Sequence, residues 1–203
     1  MGLSLTTILC ITIGVVSYYG FKDSSLIDKL EFSPYRVVKK QQYYRLFTHG
    51  FVHGDWNHLL INLLVLYSFG SNVEHFFFNN FGPLGTFYYA ILFVLALPIS
   101  SLLDLIKYKN NPYYSAVGAS GAVSAILFCS IFLNPWAKIY FFMILPIPGL
   151  LFGVIYLYYS YYMAKKNQDN IGHTAHFTGA IFGFIFPLFI DFRTFLHHFV
   201  NQL

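Results

Sequence analysis

The sequence predicts an all-α, multi-pass membrane protein, a bundle of six transmembrane helices that forms one domain over residues 1–203. Of the 203 residues, 57% are hydrophobic and only 10% are charged, whereas an ordinary soluble domain has about 25% charged residues. Apolar runs recur along the whole length, and a helix needs about 20 such residues to cross the ~30 Å hydrocarbon layer. The lipid bilayer is therefore the expected solvent, and the scattered basic residues predict no nucleic-acid partner.

Six apolar runs have the length of membrane-spanning helices: Leu3 to Tyr19, His58 to Phe78, Leu84 to Ile106, Ala116 to Leu133, Trp136 to Met163 and Gly172 to Phe192. Helices are expected because lipid offers no partners for free backbone groups, and these runs are far longer than barrel strands. The first run lacks a preceding basic stretch and an evident cleavage site, so we expect a retained helix rather than a signal peptide.

The connection between the first two spans, Gly20 to Asn57, is the longest polar stretch. It is still rich in Phe, Leu, Tyr and Val, which predicts a structured connection lying partly in the membrane interface. The two cysteines, Cys10 and Cys129, both fall inside spans, where a thiol behaves as a small hydrophobic group. We expect no disulfide.

Polar side chains inside spans are candidates for function, because they are costly in hydrocarbon. His58 and Asn62 are four residues apart, so a helix presents both on one face. Such a pair could stabilise a developing oxyanion, or it could simply form hydrogen bonds between helices. Glu74 and His75 lie near the far end of the same span, where a cap or an interhelical hydrogen bond is the expected role.

The candidate nucleophile is Ser120, in the segment Gly118-Ala119-Ser120-Gly121. The flanking glycines let a substrate carbonyl approach the hydroxyl, and a helix beginning there would direct its backbone N–H groups at the carbonyl oxygen. Taken alone, a segment of this kind is more often a packing motif in a membrane helix.

A serine hydroxyl needs a base to take its proton, and His176 is the best candidate. The segments Gly121-x-x-x-Ala125 and Gly179-x-x-x-Gly183 would let the fourth and sixth spans approach closely. Ser120 and His176 would then lie within hydrogen-bond reach, as a dyad without a carboxylate to orient the imidazole.

Five segments together resemble a known family: Arg45-Leu46-Phe47-Thr48, His53-Gly54-Asp55-Trp56-Asn57-His58-Leu59-Leu60-Ile61-Asn62, Gly70-x-x-x-Glu74, Gly118-Ala119-Ser120-Gly121 and Ala175-His176-x-x-Gly179-x-x-x-Gly183. In order, spacing and placement on the second, fourth and sixth spans, they resemble the rhomboid intramembrane serine proteases. The resemblance runs from about Tyr44 to the end of the sixth span.

The resemblance implies that Ser120 is the nucleophile, His176 the general base, and His58 and Asn62 the side chains of the oxyanion hole. It also implies a substrate that is a transmembrane helix of another protein, reaching the site between the second and fifth helices, with no cofactor. The chain departs from the family at Ser124, where some members carry an aromatic residue that stacks on the base. The imidazole of His176 must therefore be held in another way.

Water must reach a site below the membrane surface. We expect irregular backbone at Asn110 to Ser115 to line a wet cavity, with the loop Lys165 to Ile171 as its lid.

The family's arrangement places the first, third and fifth loops outside a cell membrane, so that the active site opens to the extracytoplasmic side. Those loops contain Lys22, Lys29, Arg36, Lys39, Lys40, Arg45, Lys107, Lys109, Lys165 and Lys166. The other side has Lys138 and Arg193. Because positive residues normally remain in the cytoplasm, this distribution conflicts with the orientation that the resemblance implies.

Two other functions are open at this stage. Five histidines, His49, His53, His58, His173 and His176, could form a metal site, since imidazole suits zinc, iron or copper. Alternatively, a rhomboid-like protein could bind membrane helices without cutting them. Retention of both Ser120 and His176 favours the protease.

Overall fold

A computed structural model of the chain describes residues 3–141, 144–166 and 172–203, most of them helical. The helices are α1 Leu5–Lys22, α2 Ser24–Leu30, α3 Pro34–Lys39, α4 Arg45–Thr48, α5 Trp56–Phe81, α6 Pro83–Ser100, α7 Leu102–Tyr108, α8 Ser120–Leu133, α9 Gly149–Lys166, α10 His173–Ile190 and α11 Phe192–Val200. A 3-10 turn at His49–Phe51 follows α4, and two antiparallel strands, β1 Lys138–Phe141 and β2 Leu145–Pro148, precede α9.

The predicted helical membrane architecture is confirmed, while the count of six spans stays a prediction. Each predicted span contains a helix: α1, α5, α6 continued by α7, α8, α9 and α10. By length and apolar composition, three segments of the described chain could cross a membrane, namely Leu5–Lys22, Pro83–Tyr108 and His173–Ile190. Among the others, α8 is apolar but has only 14 residues, and α9 carries five tyrosines and two lysines.

The largest differences from the sequence prediction are two helix starts and one additional helix. The fifth helix begins at Gly149 rather than Trp136, because the paired strands β1 and β2 precede it. Pro146 and Pro148 lie in β2, and two prolines so close together disfavour a helix, because each lacks a backbone N–H donor and disfavours the helical conformation of the residue before it. The fourth helix begins at Ser120 rather than Ala116, and α11 was not predicted as a separate helix. Asp191 separates α11 from α10 and caps it by accepting a hydrogen bond from the Thr194 N–H.

The core of the molecule surrounds α8. Every residue of this helix from Gly121 to Leu133 except Ser130 is buried, and it packs against α5, α6, α9 and α10. A helix of 14 residues is about 21 Å long, shorter than a hydrocarbon layer of about 30 Å. The chain before Ser120 can therefore fold over the end of α8 and still lie between the longer helices around it.

The first loop covers that end of α8, and its predicted structured character is confirmed. Phe32 and Ala116 exchange two backbone hydrogen bonds of 2.9 Å, which join the loop to the segment before α8. Within the loop, the buried Arg45 guanidinium donates to the carbonyl oxygens of Asp28 and Glu31 at 2.7 and 2.9 Å. It also donates to the Gln42 side chain. The loop is thus a folded cap fastened by its own arginine.

At the opposite end of α5, the structural role predicted for Glu74 is confirmed. Its carboxylate accepts hydrogen bonds from the Leu5 and Thr6 N–H groups at 2.7 and 2.9 Å, and from the Thr6 hydroxyl at 2.7 Å. The two N–H groups belong to the first turn of α1, where backbone N–H groups have no preceding helical carbonyl to bond. Glu74 therefore caps α1 from a neighbouring helix and fixes α1 against α5.

Candidate active site

The site begins at Ser120, the first residue of α8, which follows a tight turn. Gly118 has φ of +113°, a conformation that favours glycine. A Cβ on Gly118 would also lie only 2.8 Å from Nε2 of His58. The turn is fastened from the first loop, since the Gly118 N–H donates to the His49 carbonyl at 2.9 Å. Ser120 is half-buried at the end of this fixed turn.

The helices that carry Ser120 and His176 touch through their backbones, as the small-residue spacing predicted. A Cβ on Gly179 would collide with the carbonyl oxygen of Gly121, and one on Gly183 with that of Ala125. A Cβ on Gly121 would lie 3.4 Å from the carbonyl oxygen of Ala175. The backbone of the residue after Ser120 therefore lies against α10 at Gly179, while the hydrogen bond between the Ser120 and His176 side chains stays a prediction.

The two predicted oxyanion-hole residues lie on α5, and one of them adjoins the nucleophile segment. The His58 imidazole packs against Gly118, two residues before Ser120. Asn62 is buried, and its amide donates to the His58 carbonyl within α5 at 2.8 Å. His58 is thus close to the turn that precedes Ser120, whereas the oxyanion role of both side chains stays a prediction.

His53 connects the first loop to the turn before Ser120, a role that the sequence did not reveal. Its ring is fully buried, with Nδ1 2.9 Å from Ser17 Oγ and Nε2 accepting from the Ala119 N–H at 3.4 Å. The Ser17 hydroxyl donates onward to the Phe51 carbonyl, so Nδ1 must carry the proton. Burial lowers the pKa of His53 to about 3, which keeps this tautomer neutral.

His49 makes a second attachment of the same loop. Its Nε2 lies 3.3 Å from Ser101 Oγ, just after α6, and burial lowers the pKa of the imidazole to about 4. From the sequence, His49 and His53 are expected in the interfacial connection between the first two spans, where structure or solvation is favoured over metal binding. Their spacing alone could not identify Ser17, Ser101 or Ala119 as partners.

A tyrosine of α9 adjoins both Ser124 and His176. The Ser124 hydroxyl is 2.6 Å from the hydroxyl of Tyr156 on α9. The Tyr156 ring lies nearly parallel to the His176 ring, with 25° between the planes and 6.3 Å between the centroids. No feature of the sequence singled out Tyr156 from the other tyrosines of α9.

The rival metal site finds little support in the geometry. Within residues 3–141, 144–166 and 172–203, no three His, Cys, Asp or Glu side chains are grouped as metal ligands. Of the five candidate histidines, His49 and His53 bond to serines as described above. The expected lid, Lys165 to Ile171, lies outside the described residues from position 167 onward.

The segment expected to line a wet cavity, Asn110 to Ser115, is joined to α7. Tyr114 donates from its hydroxyl to the Asp104 carboxylate at 3.2 Å and stacks on Tyr108. A water-filled cavity beside this segment stays a prediction.

The chain is similar in sequence to known proteins over most of its length. The family model described as the Rhomboid domain matches residues 40–191. RHOMBOID-like protein 12, mitochondrial, of Arabidopsis thaliana is 29% identical over 154 residues, covering 70% of this chain and 45% of that protein. Rhomboid-like protein 11, chloroplastic, of the same plant is 28% identical over 158 residues, covering 70% and 51%.

A third plant relative, Rhomboid-like protein 15 of Arabidopsis thaliana, is 22% identical over 185 residues, covering 87% of this chain and 42% of its own length. The chain spans about half the length of the curated relatives it matches. The matched family segment contains α5 to α10 and so includes every candidate site residue.

Proposed function

The chain belongs to the rhomboid family, and we propose that it is a serine endopeptidase that cleaves transmembrane segments of other membrane proteins. Members of this family are generally intramembrane serine proteases. The chain retains both residues that the reaction requires, Ser120 and His176. Family membership and these two side chains support the same activity.

In the proposed reaction, His176 accepts the proton of the Ser120 hydroxyl as its oxygen attacks the substrate carbonyl. The protonated imidazole then donates that proton to the leaving amine, and an acyl-enzyme forms on Ser120. Water attacks the ester with His176 again as base, which releases the second product and restores the serine. The substrate helix must unwind locally first, so glycine or proline near its cleaved bond should favour cleavage.

Negative charge on the carbonyl oxygen would be stabilised by the backbone N–H of Ser120 and the side chains of His58 and Asn62. The position of Ser120 favours this, because the first N–H groups of a helix have no intrahelical acceptor. The contact of the His58 ring with Gly118 supports its assignment to the oxyanion hole. A neutral imidazole can donate from one nitrogen to a developing oxyanion.

One observation carries the proposal: the glycine contact between α8 and α10. Gly121 adjoins Ser120, and its carbonyl meets Gly179, three residues after His176, so the two helices approach near the proposed dyad. A larger residue at Gly179 would hold the backbones apart. The packing is therefore what permits an intramembrane proton transfer between these side chains.

The proposal is tested by labelling the purified, membrane-reconstituted protein with a fluorophosphonate probe and by following cleavage of a transmembrane reporter substrate. We expect the wild type to be labelled and active, and Ser120→Ala and His176→Ala to lose both signals. Ser130→Ala, on the same helix ten residues further along, is the matched control and should be labelled as the wild type. A wild type that folds but is neither labelled nor active would favour a helix-binding protein instead.

The apolar helices and the family make the chain an integral membrane protein, and we propose the finer arrangement as well. Six spans are formed by α1, α5, α6 with α7, α8, α9 and α10, within one domain over residues 1–203. Shared packing supports the single domain, since Ile13 of α1 and Phe195 of α11 belong to the same hydrophobic core.

We propose that the active face opens to the extracytoplasmic side of a cell membrane, as the family arrangement implies. The two relatives named for an organelle are mitochondrial and chloroplastic, so the membrane itself must be tested. The C-terminus should then lie in the cytoplasm, so a fused reporter that is active only in the cytoplasm should give a signal. An extracytoplasmic reporter signal would reverse the orientation and agree with the lysine and arginine distribution.

A further inference from the structure

The base of the proposed dyad, His176, is carried by α10 and faces a tyrosine of the neighbouring helix. The Tyr156 and His176 rings are nearly parallel, with 6.3 Å between their centroids, which is within the range of offset aromatic stacking. One turn away, the Tyr159 ring meets the His173 ring edge-on at 5.6 Å. Two tyrosine–histidine pairs thus join α9 to α10 at the level of the site.

The Tyr156 ring is itself held from a third helix. Its hydroxyl is 2.6 Å from the Ser124 hydroxyl, and Ser124 is buried on α8 one turn after Ser120. A ring fixed at both its face and its hydroxyl limits rotation of the imidazole that it covers. Ser124 and His176 are therefore connected through Tyr156, although they lie on different helices.

We propose that Tyr156 is a positioning residue for the general base, anchored by Ser124, and that this pair replaces the aromatic residue that some relatives carry at the position of Ser124. The proposal rests on the proposed protease function. Tyr156 does not touch the reacting atoms in this scheme. It holds the His176 ring in the orientation from which Nε2 or Nδ1 can accept the serine proton.

The test compares kcat and KM of variants of the full chain in liposomes. Tyr156→Leu removes the ring and should lower kcat about 10- to 100-fold, since small misplacements of a catalytic group have effects of that size. KM should remain within about twofold, because the transition state alone requires the oriented base. Tyr158→Leu is the matched control, because that exposed tyrosine lies on α9 two residues away and should leave both constants unchanged.

A double-mutant cycle separates positioning from general stabilisation of α9. Tyr156→Phe and Ser124→Ala each remove the same hydrogen bond, so each should lower kcat about fivefold and the double variant should be no worse than either. Placing the ring on α8 instead, with Ser124→Tyr added to Tyr156→Leu, should restore part of the lost kcat. If Tyr156→Leu does not fold, the test rests on Tyr156→Phe, Ser124→Ala and their double variant.

The two proposals fail differently. A folded wild type without cleavage or fluorophosphonate labelling overturns both. An active wild type, together with wild-type kcat in Tyr156→Leu or fully additive losses in the Ser124 and Tyr156 pair, overturns only the positioning role.

Discussion

Helix α10 meets its two neighbours in chemically different ways. Against α8 it presents glycines, and the contact is backbone to backbone at Gly121–Gly179 and Ala125–Gly183. Against α9 it presents histidine rings, and the contact is ring to ring at Tyr156–His176 and Tyr159–His173. Backbones in contact leave little freedom in the distance between two helices, whereas packed rings can still shift or rotate. Under the proposed mechanism, the first interface therefore sets the distance between His176 and Ser120, and the second sets the orientation of the His176 ring.

The first loop is attached to the site by hydrogen bonds, some between backbones and others through side chains. His49 and His53 bond to Ser101, Ser17 and the Ala119 N–H, and Arg45 holds the loop together internally. Directional hydrogen bonds of this kind can be lost one at a time. Disturbing the glycine interface should therefore have larger effects than disturbing any single side-chain attachment.

The largest effect on cleavage is expected from Gly179→Ala. The new methyl group would collide with the Gly121 carbonyl, which overpacking data suggest costs about 1–3 kcal/mol. Because α8 must move away from α10, cleavage should fall at least about 100-fold. Thermal unfolding and reporter cleavage in liposomes measure the two effects.

Gly153→Ala is the matched control for that variant. Gly153 lies on α9 and faces α8, but its Cβ would be 3.4 Å from the Phe128 ring, an ordinary contact. Stability and cleavage should both remain near wild type. Equal losses in the two variants would show that the glycine interface has no special role in setting the distance.

Acidification should lower the stability of the fold through the first loop. Folding lowers the pKa of His49 from 6.5 to about 4 and that of His53 from 6.5 to about 3. Below pH 6.5 the unfolded chain therefore binds more protons than the folded one, and stability falls as the pH falls. At about pH 5 the loss should be about 2 kcal/mol for each histidine.

Thermal midpoints measured between about pH 7.5 and pH 5 check this dependence. His53→Gln should flatten the curve, even though the variant starts from a lower midpoint at neutral pH. His75→Gln, at an exposed position on α5, should keep the wild-type slope. A wild-type midpoint that does not change over this range would contradict the role given to the two buried imidazoles.

Two arginines of the first loop should differ in how much each stabilises the fold. Arg45 is buried and donates to two carbonyls, so Arg45→Gln should lower stability by about 2–3 kcal/mol. Arg36 forms an ion pair with Asp28 at 2.7 Å, but the two side chains are 30% and 62% exposed. Arg36→Gln should therefore cost less than about 1 kcal/mol. Thermal unfolding of both variants decides the order, and a greater loss in Arg36→Gln would contradict it.

Much of the fold could be predicted because its signals are local. Long apolar runs predict helices that lipid can solvate, and every predicted run contains one. The helix boundaries were less accurate where a single residue overrides composition. Pro146 and Pro148 favour a strand over a helix, and the turn at Gly118 makes α8 begin at Ser120.

The sequence by itself determined which two helices carry the candidate site. The spacing of Gly121, Ala125, Gly179 and Gly183 is a local property, and it predicted correctly that α8 and α10 touch. The same spacing placed Ser120 and His176 on these two helices, as candidates for one reaction.

Only the tertiary structure decided which side chains surround that site. Tyr156 is one of five tyrosines on α9, and nothing along the chain distinguishes it, because ring contact with His176 depends on how two helices are rotated about their axes. The role of His53 likewise depends on hydrogen bonds to Ser17 and Ala119, which lie 36 and 66 positions away in the sequence. Periodicity is set by the backbone and can be read along one helix, whereas partners between helices are fixed only when the helices pack.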